Sequence, residues 1–430
     1  MSTHDSDCIA CPEYNDLSRR AFIARTTAAA AVLAAPAWLP RVTYAQSEDT
    51  TRDVIVSIFL RGGADGMSLV VPYAENAYYT LRPTIAIPRP DSSSTNKVAD
   101  LNGFFGLAPS MASLLPAYRA GQLLIVHATG STDPTRSHFD AQAFMEIGIP
   151  GERGIETGWL GRHLASKPPM KPNAALRALA FNYGLPLMLA GGPDTLPIPD
   201  PSNFGIAGTS STRAARLNWL SAAFAGQPDP LKTSAQNTQR TITQLSAINI
   251  GAYAPAGGAV YPSGSFASAL RSTAALIRAD VGVEAVQIDV GGWDTHSAQG
   301  PVTGGMANTM RGLADALAAF HADMVGASRI GRLTVVTMSE FGRKAQENGS
   351  QGTDHGHGNV MLVMGGSVAG GQVMTIWPGL QPTQLYQQQD LQVTIDYRDI
   401  LAEIVTRRLG NNQLDVVFPG YTPTFRGAVV

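Results

Sequence analysis

The chain predicts a three-layer α/β/α sandwich around a mostly parallel central sheet, and three observations lead there. Short, nearly continuous apolar runs recur along it, as expected of strands buried on both faces. Stretches with apolar residues every three or four positions lie between those runs, which is the period of helices packed on such a sheet. No polar linker longer than about 15 residues divides the chain, so 46–430 reads as a single domain carrying long loop insertions.

The first strand is Asp53 to Leu60, breaking into Arg61-Gly62-Gly63-Ala64-Asp65-Gly66, where the glycines let the chain turn sharply and bring Asp65 to the strand's carboxyl end. Further apolar runs follow at Leu123 to His127, Leu176 to Phe181, Glu284 to Val290, Leu333 to Met338 and Val360 to Met364. Met306, Met310, Leu313, Leu317, Phe320 and Met324 step by three and four, an apolar helical stripe that faces the sheet and serves as core. Proline, glycine and serine dominate from Pro186 to Ser211 and from Ala252 to Ser265, which read as long loops.

After His127 the chain runs through Ala128-Thr129-Gly130-Ser131-Thr132-Asp133-Pro134-Thr135-Arg136-Ser137-His138-Phe139-Asp140 into a helix ending at Gly148. A hydroxyl residue at such a start is commonly an N-cap, worth about 1 kcal/mol. The same position has positive backbone potential and suits a phosphate or sulfate group, with Arg136 able to grip the anion bidentately.

The amino terminus gives a compartment. Ser18-Arg19-Arg20-Ala21-Phe22-Ile23 precedes an alanine-rich stretch from Ala28 to Leu39, with a small-residue exit at Thr43-Tyr44-Ala45, a pattern that resembles a twin-arginine signal removed near Ala45. Residues 1–45 are therefore expected to direct export to the periplasm or beyond through the twin-arginine translocase. The apolar run is too short for a resident span, which needs about 20 residues. Both cysteines, Cys8 and Cys11, would leave with the signal, so no disulfide or thiol chemistry is expected in the mature chain. The formal charge of -2 gives no sign of nucleic-acid binding.

Chemistry concentrates in two loops. Gly291-Gly292-Trp293-Asp294-Thr295-His296 and Gly352-Thr353-Asp354-His355-Gly356-His357-Gly358 each bring imidazoles and a carboxylate among glycines, and each follows a strand-like apolar run. Imidazole and carboxylate lone pairs available at neutral pH suit a divalent cation such as zinc, manganese or calcium, and the leading expectation is a metal-assisted hydrolase. The bland alternative is that these are hydrogen-bonded polar loop residues. Asp65 reads as a structural turn aspartate or a ligand, and Asp354 as a ligand or an acceptor that orients a neighbouring imidazole. His127 and His321 read as satisfied structural histidines, His163 as structural or pocket-lining, and His138 as a candidate substrate contact at the helix start.

The order of these parts resembles the alkaline phosphatase-like superfamily, which includes phosphatases, sulfatases and cofactor-independent phosphoglycerate mutases. More closely, Phe59-Leu60-Arg61-Gly62-Gly63-Ala64-Asp65-Gly66, Arg136-Ser137-His138-Phe139-Asp140-Ala141-Gln142, Gly292-Trp293-Asp294-Thr295-His296, Ser339-Glu340-Phe341-Gly342-Arg343 and Asp354-His355-Gly356-His357-Gly358 look like the exported bacterial proteins of domain of unknown function family 1501. The superfamily resemblance implies one or two metal ions, with Asp65 on one and Asp294, His296 and His355 or His357 on the other. It implies a carboxylate at Glu340, and Thr132 as nucleophile because it stands two before Pro134, with Ser137 competing for that role and Arg136 and His138 contacting the substrate. Two departures stand out: Phe341 replaces an expected histidine, and Asp294 and His296 are spaced more closely than usual. The implied activity is hydrolysis of a phosphate or sulfate ester on a small molecule or glycan. A binding or assembly protein that has lost turnover, and a metal carrier, are the alternatives.

Overall fold

The computed structural model describes residues 51–172 and 174–430. The arginine pair, both cysteines and the expected cleavage point lie outside the described residues. Contacts divide the described residues into a large unit, 51–205 with 241–430, and a small one that includes 206–240.

The large unit is built on a nine-stranded sheet. Its strands are β1 (Val54–Leu60), β2 (Leu123–Gly130), β3 (Ala178–Ala180), β4 (Thr195–Pro197), β5 (Ala285–Val290), β6 (Leu333–Met338), β7 (Asn359–Gly365), β8 (Gln372–Met374) and β9 (Ile395–Asp396). They run in the order β8-β2-β7-β6-β1-β5-β3-β4, with β9 also paired to β2. β1 lies parallel between β5 and β6, whereas β7 runs antiparallel to both its neighbours, β2 and β6. Every residue of β1 is buried, in keeping with its nearly unbroken apolar sequence.

Side chains alternate across β1 into two cores. Val54, Val56, Ile58 and Leu60 join one, and Ile55 and Phe59 the other. The first core is covered by helices at Ser265–Ala279 and Gly305–Gly326, and the methionine-rich stripe from Met306 to Met324 packs there as expected. The second is covered by α1 (His138–Ile147), α2 (Trp159–Ser166) and a helix at Tyr397–Arg407. The molecule is thus a mixed α/β sandwich with a mostly parallel sheet.

The stretch expected to be loop from Pro186 to Ser211 contains β4, a short edge strand ending in Pro197, where a missing N–H is tolerated. The Ala252–Ser265 stretch has little regular structure and is pinned by buried Asp323, which accepts from the Tyr253 and Tyr261 hydroxyls and the Ala256 amide. In the small unit, a helix at Arg213–Ala225 has no buried residue. Among the described residues no helix is long and apolar enough to cross a membrane.

Candidate metal centre

The segments that follow β1, β2, β5 and β6 meet beyond the carboxyl ends of these strands, and the loop preceding antiparallel β7 joins them there. Close approach there requires glycine. Gly62 has φ +117, and a Cβ on it would lie 2.6 Å from the Asp294 backbone nitrogen. A Cβ on Gly352 would lie 2.3 Å from the His296 carbonyl carbon. Arg343 fastens the loops from within: its fully buried guanidinium donates to the carbonyls of Gly62, Gly63, Trp293 and Thr353 and, at 2.7 Å, to Asp294 Oδ1.

Three imidazoles surround the Asp294 carboxylate. Each has its Nδ1 tied to an acceptor: His138 to Glu340 at 2.8 Å, His296 to Asp354 at 3.1 Å, and His355 to the Arg136 carbonyl at 2.8 Å. Carboxylates and carbonyls only accept, so each Nδ1 carries the proton and each Nε2 of a neutral ring presents a lone pair. Those Nε2 atoms lie 3.7, 3.0 and 3.6 Å from Asp294 Oδ1 for His138, His296 and His355 respectively. The His296 and His355 Nε2 atoms face each other at 2.9 Å, and buried His138 Nε2 has no hydrogen-bond partner among the described residues.

This donor set fits a cation. Two imidazole lone pairs at that separation repel unless positive charge sits between them, and metal–nitrogen bonds of about 2.0–2.1 Å put tetrahedral neighbours roughly 3.3 Å apart. The ligand atoms of His138, Asp294 and His355 all lie within 4.8 Å of one another. The backing by Glu340, Asp354 and a carbonyl is the outer arrangement that orients metal-binding histidines.

Burial pushes the Asp294 carboxyl up, but bonds from His138, His296, His355 and Arg343 outweigh it and hold the group far below the usual carboxylate range. His138 is pushed down by burial yet raised to about 9 by the Asp294 and Glu340 carboxylates. His296 is raised, first by Asp294, with burial opposing and Asp354 adding to the rise. Glu340 is raised by burial but lowered overall by the donors His138 and Gln142. The lowered carboxyls and raised imidazoles are the shifts of groups that stabilise one another's charged forms.

Other residues singled out in the sequence sit elsewhere. Asp65 is buried, both its oxygens accept from Arg82, at 2.6 and 3.0 Å, and it is absent from the ion-facing group. It also accepts from Gln299, whose own oxygen receives the hydroxyls of Thr295 and Thr353, so Asp65 braces the residues preceding His296 and Asp354. His357 stacks on Tyr386 with ring centres 4.3 Å apart, and burial, with Arg136 nearby, lowers it to about 4. Glu340 stands behind His138, accepting also from Gly62 N and Gln142. Ser137 Oγ is the N-cap of α1, accepting from the Asp140 amide. Thr132 is exposed, and Arg136 is bonded to Asp390 and Gln387. Buried Asn411 contacts His163 Nδ1, His127 Nε2 donates to the Val70 carbonyl and His321 contacts Gln122, so all three have local partners.

His138 joins the imidazole cluster directly, a position that its place at a helix start beside the hydroxyl segment did not specify. Arg343 was visible only as part of a motif, because its partners are dispersed along the chain.

Fold and site together define an α/β/α protein with a His/Asp cluster, suited to a metal ion, beyond the carboxyl ends of its central strands. The chain belongs to the family described as protein of unknown function (DUF1501), whose model matches residues 52–415. No curated protein matches it significantly in sequence. Among solved structures it is similar to Ps i-CgsB in complex with k-i-k-neocarrahexaose, at 11% identity over 87% of this chain and 75% of that one, with a TM-score of 0.38. It is also similar to alkaline phosphatase from the Antarctic bacterium TAB5, at 9% identity over 76% of this chain and 95% of that one, with a TM-score of 0.27.

Proposed function

We propose that this protein is an exported, metal-dependent hydrolase of phosphate or sulfate esters whose single divalent cation is held by His138, Asp294, His296 and His355. The observation that carries the reading is the convergence of three Nδ1-tethered imidazoles on Asp294 Oδ1. When bound, the metal would activate water and polarise an ester oxygen. The chain's own residues do the rest. Glu340, Asp354 and the Arg136 carbonyl fix the rings, Arg343 fixes the carboxylate, and the side chain of Asp294, 36% exposed, leaves the cluster open to an incoming ester. The ester class comes from the loop order shared with phosphatases and sulfatases; export comes from the twin-arginine pattern.

Phe341 supports a count of one ion. Its buried ring lies 4.9 Å from the His138 ring and 4.8 Å from that of His355, and it offers no ligand. With Asp65 paired to Arg82, neither residue serves a second cation. The same observation favours a second reading, a metal-containing binding protein without turnover, because Thr132 is exposed and Ser137 is engaged as a cap.

The deciding experiment uses protein purified after export, its metal content determined, and a panel of phosphate and sulfate esters. Hydrolysis that is lost on chelation, restored by zinc or manganese and absent in His296→Ala supports the enzyme. Tight metal without turnover on any ester supports the binding protein. Absence of metal binding overturns both.

A further inference from the structure

Resting on the reading of a cation held by His138, Asp294, His296 and His355, we propose that Asp390 is a positioning residue for that centre, acting on His355 through Arg136. The acceptor that fixes the His355 ring is a backbone carbonyl, that of Arg136, at 2.8 Å. A carbonyl between two loops is only as fixed as its residue, and Arg136 is anchored by its side chain. Its Nη2 donates to Asp390 Oδ2 at 2.5 Å and to Gln387 Oε1 at 3.0 Å.

Asp390 is fully buried, while Arg136 remains 35% exposed. The other oxygen, Asp390 Oδ1, has no hydrogen-bond partner among the described residues. The carboxylate therefore serves Arg136, and burying it for that one partner is costly unless the anchoring matters. The turn that carries it is strained as well. Gln387 and Gln388 hold φ values of 51 and 59, a left-handed conformation unfavourable for both, and the turn is closed by reciprocal backbone bonds between Tyr386 and Asp390 at 2.8 and 3.0 Å.

The backbone completes a ring of contacts. Asp390 forms an antiparallel bridge with Lys344, and the adjoining Arg343 forms one with His355. Lys344 N also donates to the Asp354 carbonyl at 2.9 Å. Asp390 thus holds, by its side chain, the residue that receives the His355 Nδ1 proton and, by its backbone, the segment paired with His355 itself. Removing the carboxylate frees the Arg136 carbonyl to turn, so the His355 lone pair loses its fixed direction. Partners behind metal-binding histidines typically change affinity 10–100-fold, and a device one bond further out is expected to give about tenfold.

The test is cobalt titration of the full chain after chelator treatment, with affinity measured by competition against a chelator and the visible spectrum recorded. Wild type should bind one equivalent. Asp390→Ala and Arg136→Met should bind about tenfold more weakly with an altered spectrum, and Asp390→Asn, which keeps an oxygen for Arg136, should recover part of the loss. If Asp390→Ala does not fold, Arg136→Met and Asp390→Asn decide alone. Wild-type affinity and spectrum in the folded variants, with only the thermal midpoint of the metal-free protein lowered, would make Asp390 merely structural and overturn the proposal. No cobalt binding by wild type would overturn the metal reading beneath it.

Discussion

At the scale of single residues, the centre depends on which nitrogen of each imidazole is free. Glu340 and Asp354 each accept an Nδ1 proton, so Glu340→Gln and Asp354→Asn should each weaken metal binding 10–100-fold without removing a ligand, as measured by chelator competition. His357→Ala should leave affinity unchanged, since that ring stacks on Tyr386 outside the cluster. Asp65→Asn is expected to act on stability, because it disrupts a fully buried ion pair with Arg82; breaking such pairs costs about 3–5 kcal/mol, readable by urea denaturation. Asp294, His296 and the His355-Gly356-His357 segment were legible because imidazoles and acids stand between glycines at apparent strand ends. The choice between His355 and His357 was not legible. It depends on how the 355–357 loop lies against the 342–344 segment, where Gly356 N donates to Gly342 O at 2.8 Å. The fate of Asp65 was hidden for a similar reason, since its partner Arg82 lies in a separate stretch of chain carrying no motif.

At the scale of elements, α1 couples a local helix signal to the centre. Ser137 caps it, His138 is its first residue, and Gly148 ends it with φ +71. Ser137→Ala should cost about 1 kcal/mol and also weaken metal binding, because the cap fixes the turn from which His138 reaches inward. Gly148→Ala should destabilise without that effect, by about 1 kcal/mol or more, since the left-handed backbone disfavours a side chain and the new Cβ would lie 2.9 Å from the Phe418 ring. Equilibrium unfolding with and without metal separates the two. Which hydroxyl residue caps this helix was not readable in sequence, whereas the helix and its glycine end were. So were the strands that supply the loops, because continuous apolar runs bounded by glycine have few other uses. Edge strand β4 was not, because Pro197 and its polar surroundings give the signal of a loop.

At the scale of the whole molecule, a mostly parallel sheet with a core on each face follows from the alternation of apolar runs with helical stripes. That much needed no contact information. The convergence of five loop segments at one end of the strands did, because buried Arg343 joins carbonyls and a carboxylate from separate parts of the chain. The fold also sets a pH response. Burial lowers His127 to about 4 and His163 to about 3, so both are neutral in the folded state where the unfolded chain, with ordinary values near 6.5, takes up protons. The unfolded state then binds more protons, and the stability these two contribute is expected to fall as pH drops from about 6.5 toward those folded values. The urea midpoint of metal-free protein should decline between about pH 6.5 and 4.5, below the range in which the raised His138 and His296 change stability, and His163→Gln should flatten part of the decline.

The proposed centre has three imidazoles and one carboxylate around a single cation. X-ray absorption at the edge of zinc bound to the purified protein tests it most directly. Such a centre gives one inner shell of nitrogen and oxygen at about 2.0–2.1 Å, with outer-shell scattering from three imidazole rings that falls by one ring in His138→Ala, His296→Ala or His355→Ala. A shell lacking imidazole scattering, or one unchanged by all three substitutions, would contradict it.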